Sequence, residues 1–354
     1  MGYLPNLSRS EKASKWINVI LPMSLAGGLA LTGILARTIN TLGTNEVLTA
    51  AVADYTHRFA AEFERIFLEA VPFLLLGALA ASVVEHYFST AEVEKIFSKR
   101  LIPGIAAGLL TGVILPVGEG GSILLARALL RKGAALPSTV VMMLAAPALN
   151  VLPLAILLGS GGVSAVFWLR IGIGAVFAII FGILLSLENQ PERLIHVNSL
   201  HRHGAGIAQF KEAVSGNNQN RSNAVAVTTA KEFLEFTPYV IVAALIAAIL
   251  QTILPVSWIP PVQGGLAGQI GSSGLWALLS SQSNLGDILT VQNSAISWPV
   301  VSQAVFLTLG IMLDAKLVVL YLRVLSRKAV FYMTVLAIGA AVLTGLVIGI
   351  QGMR

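Results

Sequence analysis

The chain has 354 residues, of which 56% are hydrophobic and only 11% are charged. Soluble domains carry about one quarter charged residues, so this chain cannot cover a water-facing surface and is expected to be an integral membrane protein. The absence of cysteine excludes disulfides, thiolate metal sites and cysteine nucleophiles. The net charge of +6 is explained by the positive-inside rule and indicates no nucleic-acid partner.

Seven apolar segments reach the length of about 20 residues that a helix needs to cross roughly 30 Å of hydrocarbon. They are residues 16–36, 66–88, 137–158, 163–187, 237–254, 299–322 and 330–350. The first follows basic residues and has no clear cleavage site after it, so we interpret it as a retained span and not a signal peptide. The pattern predicts an all-α polytopic membrane protein with one extra span at its N-terminus.

Two further apolar stretches are too short and too broken to cross. Residues 104–131 are interrupted by a glycine-rich tip at 118–121, and residues 265–295 by a serine-rich tip at 280–287. Irregular backbone at membrane depth is tolerated only where it is buried in protein or lines a watery cavity. Both stretches are therefore predicted to be re-entrant helical hairpins.

Basic residues fall mainly on one side of this layout, which predicts a multi-pass protein of the inner (plasma) membrane with a cytoplasmic N-terminus. An odd number of crossings then places the C-terminus outside. The predicted cytoplasmic residues are Arg9, Lys12, Lys15, Lys95, Lys99, Arg100, Arg131, Lys132, Arg193, Arg202, Lys211, Arg221, Lys231, Arg323, Arg327 and Lys328.

The sequence also repeats itself at an offset of 166 residues. Phe67-Leu68-Glu69 with Pro72 reappears as Phe233-Leu234-Glu235 with Pro238. Each copy holds a span, a hairpin and two more spans, and three crossings are odd, so the second copy is predicted to be inverted. The predicted organisation is an N-terminal span and outer loop (1–65), repeat 1 (66–187), a polar cytoplasmic linker (188–231) and repeat 2 (232–354). Inverted repeats with broken segments are typical of secondary transporters.

Ionisable residues at membrane depth are functional candidates by default. Glu119, at the first tip, is expected either to bind an ion or substrate or to form a structural ion pair with Arg127. Asp287, at the second tip, is expected to bind a cation, to carry a proton, or to cap a helix that starts at Ile288.

Polar residues in two spans, the first of them broken by prolines, extend the candidate set. Pro147 frees backbone carbonyls, and Asn150 is expected either to satisfy them or to bind substrate. Asp314 and Lys316 place an acid and a base two residues apart, which favours a structural pair. The alternatives are that Asp314 pairs with a basic residue on another helix and that Lys316 reaches toward the cytoplasmic interface.

Other features are expected to be structural. Glu69 and Glu235 precede prolines and are interpreted as first-turn residues that favour a helix N-terminus. Glycines 104, 108 and 112 form a small-residue face for close helix packing. The linker histidines lack metal-ligand spacing, so no metal and no cofactor are predicted.

The hairpins resemble a known family. Pro116-Val117-Gly118-Glu119-Gly120-Gly121, followed by Arg127, Lys132-Gly133 and Ala145-Ala146-Pro147-Ala148-Leu149-Asn150, is similar to the first signature of the ArsP-type predicted permeases. Ser281–Asp287, which includes Ser283 and Asn284, and Gly310–Lys316 are similar to the second. The resemblance covers roughly residues 66–328 and implies a relation to bacterial efflux permeases for trivalent organoarsenicals.

One departure concerns the substrate. Members of that family often carry a Cys-x-Cys-Gly tip and a further cysteine near Ser283, whereas this chain has no cysteine. Thiolate is the soft ligand that a trivalent arsenical prefers. The retained Glu119, Asp287, Asp314 and Lys316 favour a small polar or charged solute instead, with proton coupling as a hypothesis.

We therefore predict a secondary carrier that works by alternating access, with Gly118, Gly120 and Gly121 at the first tip and Ser283 and Asn284 at the second. The alternatives are a channel and a non-transporting membrane scaffold that keeps the permease fold. No nucleophile–base pair or metal set indicates an enzyme. The expected partners are the lipid bilayer and a small molecule or ion, and the glycine faces would permit a homodimer.

Overall fold

The computed structural model describes residues 46–149, 165–188, 191–195, 218–253, 265–280, 286–287, 291 and 298–352. The chain divides into two compact units, Met1–Glu64 and Arg65–Arg354. In the first unit the described residues are helical, and Arg58 pairs with Asp54 at 2.9 Å. The predicted span at 16–36 lies outside the described residues.

Helices account for nearly all of the described residues. They are α1 (Glu46–Tyr87), α2 (Thr90–Ile96), α3 (Leu101–Ile114), α4 (Gly118–Arg131), α5 (Leu136–Leu149), α6 (Ala165–Ser186), α7 (Asn218–Ile253), α8 (Gly265–Ser280), α9 (Val300–Met312), α10 (Ala315–Tyr321) and α11 (Arg327–Gly352). A 3₁₀ turn at Pro191–Leu194 precedes a single antiparallel bridge between Ile195 and Leu325. The predicted all-α class is confirmed for the described part of the chain.

Several helices are long and apolar enough to cross a bilayer. Four described segments meet this test by length and composition, namely Val52–Tyr87, Arg221–Ile253, Val300–Tyr321 and Arg327–Gln351. Helices α2 and α3 form a pair bent by 101°, which would make a fifth crossing if counted as one broken span. The predicted spans at 137–158 and 163–187 correspond to α5 and α6, whose described apolar parts are shorter. The chain is thus a multi-pass membrane protein.

Small residues bring helices α3 and α5 close together. A Cβ on Gly108 would overlap the carbonyl of Ser138, and one on Gly112 would lie 2.8 Å from the Cβ of Ala145. All three glycines of the predicted face on α3 are buried. The predicted packing face is therefore confirmed, and its partner is α5.

The order of helices corresponds between the two predicted repeats. Shifted by 166 residues, α3, α5 and α6 overlap α8, α9 and α11 in sequence. The main packing partners also correspond, because α3 packs on α5 as α8 packs on α9, and α5 packs on α6 as α9 packs on α11.

The predicted span at 299–322 is confirmed as Val300–Tyr321, but it is interrupted between α9 and α10, because Leu313 is extended and Asp314 caps the next helix. Two other predicted boundaries are wrong. The first hairpin breaks at 115–117, and the glycine-rich tip forms the first turn of α4. Residues 218–231, assigned by the prediction to the polar linker, are part of helix α7 and continue without a break into the predicted repeat 2.

The interpretation of Glu69 and Glu235 as first-turn residues is also wrong. Both lie well inside long helices, and the prolines that follow them are Pro72 and Pro238 within α1 and α7. Beside the second proline, Thr237 Oγ1 donates a hydrogen bond to the carbonyl of Phe233 at 2.7 Å. Hydroxyl groups of this kind help a membrane helix to continue through a proline.

Candidate functional site

Glu119 sits in the first turn of α4, immediately after the break between α3 and α4. The helix can start there because Gly118 has a φ of 58°, in the left-handed region that side chains rarely adopt. A Cβ at Gly118 would also lie 2.8 Å from Cγ of Phe73 on α1. Glycine at this position therefore fixes where the Glu119 side chain leaves the backbone.

Asp314 and Lys316 sit at the other break, between α9 and α10. The Oδ1 atom of Asp314 accepts a hydrogen bond from the backbone N–H of Leu317 at 2.6 Å, which is a helix N-cap. The cap leaves the second carboxylate oxygen of Asp314 available for Lys316, in the first turn of α10.

Lys316 joins the two breaks. Its Nζ donates to Glu119 Oε2 at 2.7 Å and lies 3.0 Å from Asp314 Oδ2. The side chains of Lys316, Glu119 and Asp314 are 7%, 18% and 2% exposed. Asp287, which is also buried, lies within electrostatic reach of Lys316. We call Glu119, Asp287, Asp314 and Lys316 the Lys316 cluster.

Residues from three distant parts of the sequence thus meet in this cluster. Lys316 points at Glu119 and does not reach toward the interface, so that alternative is wrong. The structural pair expected between Asp314 and Lys316 is present, and Glu119 is its third member. The cap at Ile288 lies outside the described residues.

The buried hydroxyl of Tyr321 is a neighbour that the sequence did not point to. Tyr321 ends α10, is 1% exposed, and its hydroxyl has no hydrogen-bond partner among the residues that the structure describes. It lies within electrostatic reach of Glu119 and Asp314. The available signal was its spacing, because residues seven apart in a helix share a face, and Tyr321 lies seven residues after Asp314.

Arg127 does not pair with Glu119, and that predicted alternative is wrong. Its Nη2 contacts Glu235 Oε1 at 2.9 Å and its Nη1 lies 3.8 Å from Glu232 Oε2. Arg131 contacts Glu232 at 2.9 Å and also pairs with Glu85. These five residues form a second ionic cluster, in which Glu235 pairs with α4 instead of serving a helix N-terminus.

Arg323 borders the second ionic cluster. Its guanidinium lies 3.7 Å from the ring centroid of Tyr239, a cation–π geometry. Burial lowers the pKa of Arg323 below its ordinary value, and the nearby Tyr239 and Glu235 partly oppose that effect. Arginine stays protonated in proteins, so this side chain remains a cation.

The remaining predicted site residues divide into packing positions and positions outside the described residues. Gly121 is buried, and a Cβ there would overlap the carbonyl of Phe73, whereas one on Gly120 would meet only Leu74 at 3.7 Å. Pro147 is buried inside α5. Asn150, Ser283 and Asn284 lie outside the described residues.

The arrangement is suited to binding and proton exchange at membrane depth. The Lys316 cluster offers three carboxylates and one ammonium group in a buried environment, and the hydroxyl of Tyr321 lies beside it. Among the described residues, no group of three or more His, Asp or Glu side chains could hold a metal ion. Charged groups buried between broken membrane helices are typical of solute and ion pathways.

Apolar helices that are broken where charged side chains meet are a feature of many membrane transport proteins. The family model described as "Predicted permease" (ArsP_1) matches residues 56–350 of the chain. The chain belongs to the ArsP_1 predicted permease family.

Two relatives add to this assignment. The UPF0718 protein YcgR of Bacillus subtilis is 26% identical over 287 residues, which is 79% of this chain and 95% of that protein. A Streptococcus mutans protein named "Putative two-component membrane permease complex subunit" is 32% identical over 124 residues, 35% of this chain and 41% of that protein. No solved structure matches the chain.

Proposed function

We propose that this permease is a proton-coupled secondary transporter that moves a small polar or charged solute across the inner membrane by alternating access. The Lys316 cluster is its binding and coupling site. The observation that carries the proposal is the contact of Lys316 Nζ with Glu119 and Asp314 at 2.7 and 3.0 Å, at the meeting point of two helix breaks.

The energetic argument concerns the position of these charges. Burying an ion pair costs desolvation energy that its attraction repays only in good geometry. If packing were the only requirement at this position, aliphatic side chains would meet it. A lysine between carboxylates can instead exchange partners when a carboxylate is protonated or when a solute arrives, which is what coupling requires.

The corresponding helices support a two-repeat architecture. Three pairs of helices that overlap at an offset of 166 residues, with corresponding packing partners, fit two copies of one fold. Under the predicted layout the two copies have opposite orientations, so their hairpins approach the bilayer midplane from opposite faces. Alternating access then consists of one copy moving relative to the other.

The test is uptake of methylarsenite, the probe suggested by the family resemblance, into everted membrane vesicles with and without an imposed proton gradient. The variants are the unmodified chain, Glu119→Gln, Gly120→Cys, and the exposed control Glu94→Gln. Gly120 is chosen for the thiol because a Cβ there has room, whereas Gly118 is strained and faces Phe73. Glu94→Gln is expected to match the unmodified chain.

Gradient-dependent uptake that is lost in Glu119→Gln would support both coupling and the site. Uptake by Gly120→Cys alone would support an intact carrier adapted to a solute without affinity for thiols. Gradient-independent flux without saturation or counterflow would favour the channel, and no uptake by any folded variant would favour the scaffold.

A further inference from the structure

One face of α4 connects the Lys316 cluster to the second ionic cluster. Glu119, Ile123, Arg127 and Arg131 follow one another at intervals of four residues, which places them along one ridge that turns by about 40° around the helix with each step. Twelve residues of helix span about 18 Å, roughly half the thickness of a bilayer. Ile123, between the two clusters, is fully buried.

The second ionic cluster holds three helices together at the end of this face. Arg131 of α4 contacts Glu85 of α1 and Glu232 of α7, and Arg127 contacts Glu235 one turn further along α7. The side chains of Arg127 and Glu232 are only 4% and 2% exposed. A buried ionic contact of this kind is weak evidence for stability, but it can close a path and be remade.

The opposite end of the same helix pair is held differently. There Arg65 of α1 donates to the neutral amide of Gln251 on α7 at 3.1 Å, and Gln251 donates to the carbonyl of Ser280 at 3.3 Å. Arg65 lies 20 residues before Glu85, about 30 Å along the helix, which is the thickness of the hydrocarbon core. Arginine–carboxylate contacts therefore join α4, α1 and α7 at one end, and a contact of Arg65 with the Gln251 amide joins α1 and α7 at the other.

We propose that the second ionic cluster is the cytoplasmic gate of the carrier, with Arg131 and Glu232 as its gating residues. The gate closes the path from the Lys316 cluster to the cytoplasm and opens when α4 and α7 separate. We assign the gate to the cytoplasmic side of the membrane because basic residues lie at that end of α4, including Lys132 and the nearby Lys99 and Arg100. The inference rests on the proposed alternating-access function, but its test does not require a known solute.

The test uses the natural absence of cysteine. Ile123→Cys places a single thiol on the face between the two clusters. Its labelling by a membrane-impermeant maleimide is measured in everted vesicles, which expose the cytoplasmic face, and in right-side-out vesicles, which expose the outer face. Both are prepared with the gate intact and with Arg131→Gln/Glu232→Gln. The double variant removes one charge of each sign, so the net charge of the cluster is unchanged.

We expect the thiol to react at least tenfold faster in the double variant than in the chain with an intact gate, and only from the cytoplasmic face. Lys99→Cys, an exposed reporter, should react equally in both backgrounds. Neutralising the exposed pair Arg58 and Asp54 with Arg58→Gln/Asp54→Asn should leave labelling of Ile123→Cys unchanged.

Arg131→Lys serves as the variant that keeps the charge and therefore the fold. A single ammonium cannot span both carboxylates as a guanidinium does, so labelling should be intermediate. Equal labelling of Ile123→Cys in every folded background, or faster labelling only from the outer face, would overturn the gate. Faster labelling together with no methylarsenite uptake by any folded variant, Gly120→Cys included, would instead overturn only the proposed transport.

Discussion

Replacing Lys316 with methionine is expected to destabilise the fold by about 3–5 kcal/mol, the usual cost of removing one partner from a buried ion pair. At 2.7 and 3.0 Å, with an effective dielectric constant near 20, the two attractions amount to about 6 and about 5.5 kcal/mol. Desolvation of the three side chains offsets part of that gain. The variant leaves two buried carboxylates facing each other without their cation.

The second step of this prediction is a double-mutant cycle with Glu119→Gln. In Lys316→Met/Glu119→Gln one uncompensated charge is gone, so the double variant should be more stable than Lys316→Met alone. A coupling of about 1–3 kcal/mol is expected for residues in one network. The measurement is unfolding of the purified protein by sodium dodecyl sulfate, followed by tryptophan fluorescence.

Lys328→Met is the matched control, because Lys328 is exposed over the ring of Tyr332. It should change stability by no more than about 0.5 kcal/mol. A loss below about 1 kcal/mol in Lys316→Met, or strict additivity in the cycle, would show that the Lys316 contacts do not contribute as argued.

Three further changes test separate parts of the structure by the same unfolding measurement. Gly121→Ala should lower the free energy of unfolding by about 1–3 kcal/mol because its Cβ overlaps the carbonyl of Phe73. In the control Gly271→Ala the new Cβ meets nothing within 4 Å, so this variant should be neutral or stabilising. Equal effects of the two substitutions would contradict the close approach at Gly121. Asp314→Ala should cost about 1 kcal/mol more than Asp314→Asn, which keeps the helix cap, and no difference would argue against that cap. Tyr321→Phe should leave stability unchanged or raise it by up to about 1 kcal/mol because no bond is lost; a clear loss would reveal a partner for the hydroxyl.

The sequence was informative wherever hydropathy and spacing determine structure. Apolar length located the long helices, and the small-residue face on α3 identified a packing surface. A six-residue match gave the offset at which corresponding helices overlap. Glu119 and Lys316 were both identified as candidates, since a charge inside an apolar chain stands out against its neighbours.

Pairing between distant residues could not be predicted in the same way. Several predicted helices carry acidic residues that could pair with Arg127. Only the packing of the helices determines that Arg127 contacts Glu232 and Glu235. The break at Asp314 is not predicted from hydropathy, because the apolar pattern continues on both sides of it. The hydrogen bond that caps the next helix involves one side chain and leaves no trace in that pattern. Proline led to the opposite error, in which a helix boundary is predicted where none exists. Helices α1 and α7 continue through Pro72 and Pro238.

The contact between Gly77 and Gly121 has a mechanical consequence. A Cβ on Gly77 would overlap the backbone of Gly121, so α1 and α4 touch main chain to main chain. Two helices in such contact cannot slide or roll past each other without a collision. The two helices therefore move as one rigid unit, in which Glu85 moves together with Arg131. Opening of the proposed gate requires this unit to rotate away from α7 and α10.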